Sequence, residues 1–144
     1  MKWLVLVHVL GATIWVGGHL ILSLGFLPHA LRTKDINIIT NFEKNYERIG
    51  IPALLIQIIT GFWMASLYIP FNQWWSLASP HHHYLWIKIG LLLGTLVLAV
   101  HARLMIIPRL TIEQLPSLAF HIVLATVLAV SFVIAGLSFR FIFF

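Results

Sequence analysis

WLVLVHVLGATIWVGGHLIL, residues 3–22, decides the fold. It carries no charged side chain, and it matches the roughly 20 residues that a helix needs to cross a hydrocarbon core of about 30 Å. Two histidines, His8 and His19, interrupt it. On a helix they are separated by about 16 Å of rise and roughly 20° of rotation. Both imidazoles therefore project from one face at two depths, with Gly11, Ala12 and Trp15 between them. Small residues on such a stripe let a neighbouring helix approach the backbone closely.

The rest of the chain repeats the pattern. Of its 144 residues, 60% are hydrophobic and 9% charged, a balance that specifies an integral membrane protein. Four apolar stretches are long enough to span: 3–27, 50–70, 84–108 and 118–143. A chain this short cannot close a barrel in lipid, so each span is a helix. The expected architecture is an all-α integral membrane protein, an up-down four-helix transmembrane bundle forming a single domain over 1–144. The first span exceeds the ~7–15 apolar residues of a signal peptide, so it is expected to stay in place. The prolines are expected at or near span ends, with none at a span centre. The polar 28–49 connection is expected to be partly helical and to lie along the membrane interface.

Charge sets the topology. Arg32, Lys34, Lys44, Arg48, Arg103 and Arg109 fall at one face, together with the four acids Asp35, Glu43, Glu47 and Glu113. Lys2 and Arg140 fall at the other. Cytoplasmic loops are enriched in Lys and Arg, so the first face is cytoplasmic and both termini are periplasmic. The net charge of +5 thus reports orientation in a lipid bilayer and not a nucleic-acid partner. The absence of cysteine removes thiolate metal sites and redox thiols. With no acid inside a span, carboxylate di-iron chemistry and acidic proton relays lack residues.

The remaining chemistry lies in the histidines. Counting depth from the span ends places His19, His101 and His121 together in the cytoplasmic half, with Gln57 at a similar level. His8 falls in the external half, near Met64 and Lys88. Gln57, Gly61, Met64 and Tyr68 form one inward stripe. Lys88, four residues into its span, is expected to snorkel outward. His81, His82 and His83 stand just outside the third span, as an external metal-collecting site or a polar loop. Ionisable groups inside a membrane are functional candidates by default. Two facing imidazoles suit haem b, and histidine with methionine suits a copper ion. Met105 sits four residues after His101, on the same helix face.

Three quoted stretches also resemble a known family. The 3–22 stretch, with its His and then Trp15-x-Gly17-Gly18, resembles the first helix of CopD-family membrane proteins. LWIKIGLLLGTLVLAVHARLMIIPRL (85–110) is similar to their third-helix region, and FEKNYERIGIPALLIQIITGFWMA (42–65) to short stand-alone CopD-like proteins. The 85–110 stretch also resembles the HemJ family. The CopD resemblance implies copper uptake or resistance at the bacterial inner membrane. The HemJ resemblance implies haem b and protoporphyrinogen oxidation, with His8 and Lys88 at the positions linked to haem. The Gly-Gly-His extension and His121 favour the CopD side.

The combined expectation is a CopD-like inner-membrane protein that binds haem b. His19 with His121 or His101 forms the axial pair and His8 a second site. It acts as a membrane oxidoreductase in electron transfer to quinone or a periplasmic copper protein, and a homodimer is compatible with its small-residue faces. The alternatives are a copper-ion carrier using the same histidines directly, and a HemJ-like porphyrinogen oxidase.

Overall fold

The structure, a computed structural model, describes residues 1–76 and 80–141, with side chains described as far as Ser138. The end of the expected fourth span, 142–143, and the Arg140 side chain lie outside the described residues. Five α-helices follow in order: α1 Lys2–Leu20, α2 Leu27–Thr33, α3 Ile36–Tyr68, α4 Pro80–His101 and α5 Leu115–Phe141. π-helical turns, Ile21–Phe26 and Ala102–Ile106, extend α1 and α4. The result is four helices long and apolar enough to cross a membrane, Lys2–Thr33, Ile36–Tyr68, Pro80–Arg109 and Ile112–Ser138. The all-α four-helix membrane bundle is therefore the fold.

The 28–49 segment is helical, as expected in part, but it is continuous with longer helices: 28–33 belongs to α2, and 36–49 forms the first turns of α3. Asp35 explains where α3 starts. Its side chain accepts a hydrogen bond of 2.9 Å from the Asn37 N–H, which satisfies an N-terminal donor that the helix leaves open. Lys34 turns the chain between α2 and α3 in the left-handed region, at φ 55°. Because α3 begins so early, Pro52 lies inside it and not at a span end. Proline has no N–H, so the Arg48 carbonyl one turn earlier lacks its usual helical donor.

α1 packs against α3 and α5, and α5 packs against α4. Both main pairs are antiparallel. On the first, a Cβ at Gly11 meets Ala53 and Gln57, one at Gly18 meets Tyr46, and one at Gly61 meets His8. On the second, His101 pairs with His121, Gly94 lies against Leu128 and Gly136 against Lys88. Small buried residues dominate these seams: Gly11, Gly18, Gly50, Ala53, Thr60, Thr95, Thr126, Ala129 and Ala135. Lipid offers no hydrophobic drive between helices, so close backbone approach supplies the packing. Larger apolar side chains close the two ends. Leu22, Leu27, Ala30, Ile39, Ile106, Leu118 and Ile122 form the cluster at the end that holds α2, and Ile69, Trp74 and Leu85 the one at the opposite end.

The Gly17-Gly18 pair acquires a reason. Gly18 is the slot for Tyr46, whose ring occupies the space a Cβ would take, while Gly17 faces open space. The Tyr46 hydroxyl shares its hydrogen between the carbonyls of Ile14 and Trp15, each at 3.1 Å. Gly18→Ala is therefore expected to cost about 1–3 kcal/mol through overpacking. Gly17→Ala is expected to gain up to about 1 kcal/mol from helix propensity. Thermal unfolding of both variants in detergent measures this, and equal midpoints would contradict it.

Candidate functional site

His19 is fixed from within its own helix. Its Nδ1 lies 2.8 Å from the Trp15 carbonyl oxygen. A carbonyl only accepts, so Nδ1 carries the proton and Nε2 keeps its lone pair. The ring tilts against Trp15, with centroids 4.5 Å apart, and meets the edge of Tyr46 at 6.1 Å. The Trp15 carbonyl thus accepts from both His19 and Tyr46. The Thr126 hydroxyl reaches across from α5 to the His19 carbonyl at 3.2 Å.

His8 follows the same logic with a different acceptor. Its Nδ1 is 2.8 Å from the Thr60 hydroxyl, which gives its own hydrogen to the Ile56 carbonyl. The hydroxyl must then accept from His8, and Nε2 again keeps its lone pair. The Gln57 amide donates to the His8 carbonyl. Lys88 comes within electrostatic range of His8, and its Nζ is 3.9 Å from where a Cβ on Gly136 would stand. Four helices therefore converge here. Lys88 lies beside α5 at Gly136 and does not simply snorkel outward. Gln57, expected level with His19, sits level with His8 and Gly11. The early start of α3 shifts the register and puts Tyr46 beside His19 instead.

His101 and His121 are brought together. His101 Nδ1 lies 2.9 Å from His121 Nε2, and the rings stack at 5.0 Å and 10°. His121 Nδ1 lies 2.8 Å from the Ser117 carbonyl and so carries a proton. A neutral pair is the cheaper state in an apolar setting. His121 Nε2 then accepts from His101 Nδ1–H, and the free lone pair passes to His101 Nε2. A ligating histidine is commonly oriented in this way by acceptors on its other nitrogen.

The expected cytoplasmic trio is not assembled. Thr126 marks the face of α5 that touches α1, and His121 lies five residues earlier, about 140° round the helix. It accordingly faces α4 and not His19. His81, His82 and His83 are not in a loop but in the first turn of α4. Consecutive helical residues diverge by about 100°, so the three do not converge on one centre. His82 is buried and His83 exposed. Among the described residues, no group of three or more His, Cys, Asp or Glu is placed to hold a metal ion.

Several supporting residues were not anticipated. Trp15 and Ser117 each lie four residues before a histidine, a spacing visible in the sequence as an acceptor one turn back. Thr60 and Tyr46 carried no such mark. At the end of the bundle that holds α2, Arg103 and Glu47 form an ion pair of 2.6 Å that ties the π-turn after α4 to α3. Each π-turn follows directly on a histidine-bearing stretch, starting two residues after His19 and one after His101. Such turns recur at functional sites.

The chain matches no curated protein and no solved structure. A family does match: Copper resistance protein D, CopD, over residues 41–140, which is more than half of the chain. That stretch holds α4, α5 and most of α3, and with them Thr60, Lys88, His101, Met105 and His121. The chain is a multi-pass membrane protein of the CopD family, and its function is related to copper resistance.

Proposed function

We propose that the protein handles copper ions directly, through neutral imidazoles, with His101 as the principal ligand and Met105 beside it. The observation that carries this is the chain Ser117 carbonyl, His121, His101. It ends in one nitrogen lone pair held in a fixed direction, and hydrogen bonding of this kind also raises ligand basicity. Imidazole and thioether are the donor types that copper accepts. His19 and His8, held in the same tautomer on one face of α1, serve as further stations at two depths. Permeation through a membrane needs serial, individually weak sites of this kind.

Haem b is the competing cofactor, and with it electron transfer to quinone, or porphyrinogen oxidation. An axial pair needs two imidazole nitrogens about 4 Å apart across a metal, from bonds of about 2 Å each. His101 and His121 are closer than that, at 2.9 Å, and His19 is directed elsewhere. The residues as placed therefore favour the ion over the porphyrin.

Purified protein, analysed for metal and recorded in reduced-minus-oxidised absorbance, separates the readings. Bound copper with no Soret band is expected. A Soret band with a sharp α-band would overturn the copper reading. His121→Ala is expected to weaken copper binding about 10- to 100-fold by removing the orienting acceptor, which competition with a chromophoric copper chelator measures. Unchanged affinity would remove His121 from the site.

A further inference from the structure

The outer face of α4 carries a groove of about 470 Å³ lined by Leu96, Val97, Val100, His101, Leu104 and Met105. These residues belong to one helix and its π-turn, so the groove opens away from the bundle. Val97, Val100, Leu104 and Met105 are all more than half exposed, and His101 is exposed. His121 has already spent its Nε2 in accepting from His101. One copy of the chain therefore offers this face two donors, the His101 Nε2 and the Met105 sulfur. No group of three His, Cys, Asp or Glu supplements them among the described residues.

We infer that His101 and Met105 of two copies of this chain form a single copper(I) site across a two-fold interface along α4. The inference rests on the copper reading above and goes further by naming the partner that completes the site. Copies in one membrane share one orientation, so a two-fold axis along the membrane normal brings equal depths together. His101 then meets His101 of the partner subunit. Met105 lies about 6 Å of rise beyond it on each helix, within reach of the same ion. Two imidazoles and two thioethers surround the metal, and thioether donors select copper(I). The apolar flank of Val97, Val100 and Leu104 closes around it. The ion is held, with no change of oxidation state, and no bond of the chain is made or broken.

The full chain, in detergent or lipid nanodiscs, is titrated with copper(I) alone and followed by native mass spectrometry and X-ray absorption. The expected result is one copper per two chains, with the dimer appearing on copper addition and dissociating on chelation. Two nitrogen and two sulfur scatterers are expected around the metal. The chain has no cysteine, so protein sulfur at the metal means methionine. Met105→Leu removes the sulfur with little change of volume on an exposed face, and it is expected to weaken copper-dependent dimerisation about tenfold or more. One copper per monomer overturns the inference and leaves the copper reading standing. A copper-bound dimer without sulfur at the metal, or one unaffected by Met105→Leu, also overturns it. No bound copper overturns both.

Discussion

An imidazole inside a bilayer has to place its N–H on an acceptor supplied by the protein, because no water is there to take it. The structure meets this demand in the same way at His8, His19, His101 and His121. His19 and His121 use the carbonyl one turn back, His8 uses the Thr60 hydroxyl, and His101 uses His121. In every case Nδ1 is the donor. The consequence is chemical: each ring is left with a definite tautomer, and at His8, His19 and His101 Nε2 is the atom able to bind a metal. The ligand character of the site thus follows from how lipid forces polar groups to be satisfied.

The same medium shapes the packing that positions these rings. Helices in lipid associate through small residues, and several glycine contacts here have a polar or aromatic counterpart. Gly18 and Gly50 make room for Tyr46 and Gly61 for His8, while Gly136 lies beside Lys88. Tyr46 in turn shares the Trp15 carbonyl with His19, so the glycine slot and the imidazole are linked through one acceptor. The two halves of the bundle differ in kind. The half that holds the N-terminus joins His8 to Lys88. The other half holds His19, the His101–His121 pair and the carboxylates, with Arg103 paired to Glu47.

Much of this was legible from residue order alone. Hydropathy and length identified the four spans, because every backbone polar group in a spanning segment must be satisfied internally. The shared face of His8 and His19, and the proximity of His8 to Lys88, followed from rise and rotation per residue. What failed was register. Reading 28–49 as a polar connector overlooked Asp35 as a helix cap, and the missing turns of α3 displaced Gln57 from His19 to His8. Angular direction about α5 was also beyond depth counting. Depth placed His19, His101 and His121 together, but only the packing of Thr126 against α1 determines that His121 faces α4. Reading His81–His83 as a loop failed because Pro80 at the first position starts α4, a position that proline tolerates well.

The most direct test of the account is the tautomeric state of His8, His19, His101 and His121. Solid-state nitrogen-15 spectra of the histidine-labelled protein in lipid, assigned by single substitutions, report it atom by atom. The account predicts a protonated Nδ1 and an unprotonated Nε2 at His8, His19, His101 and His121. Protonated Nε2 atoms at His101 and His19, or imidazolium there, would contradict it, since neither could then present the lone pair on which the copper chemistry depends.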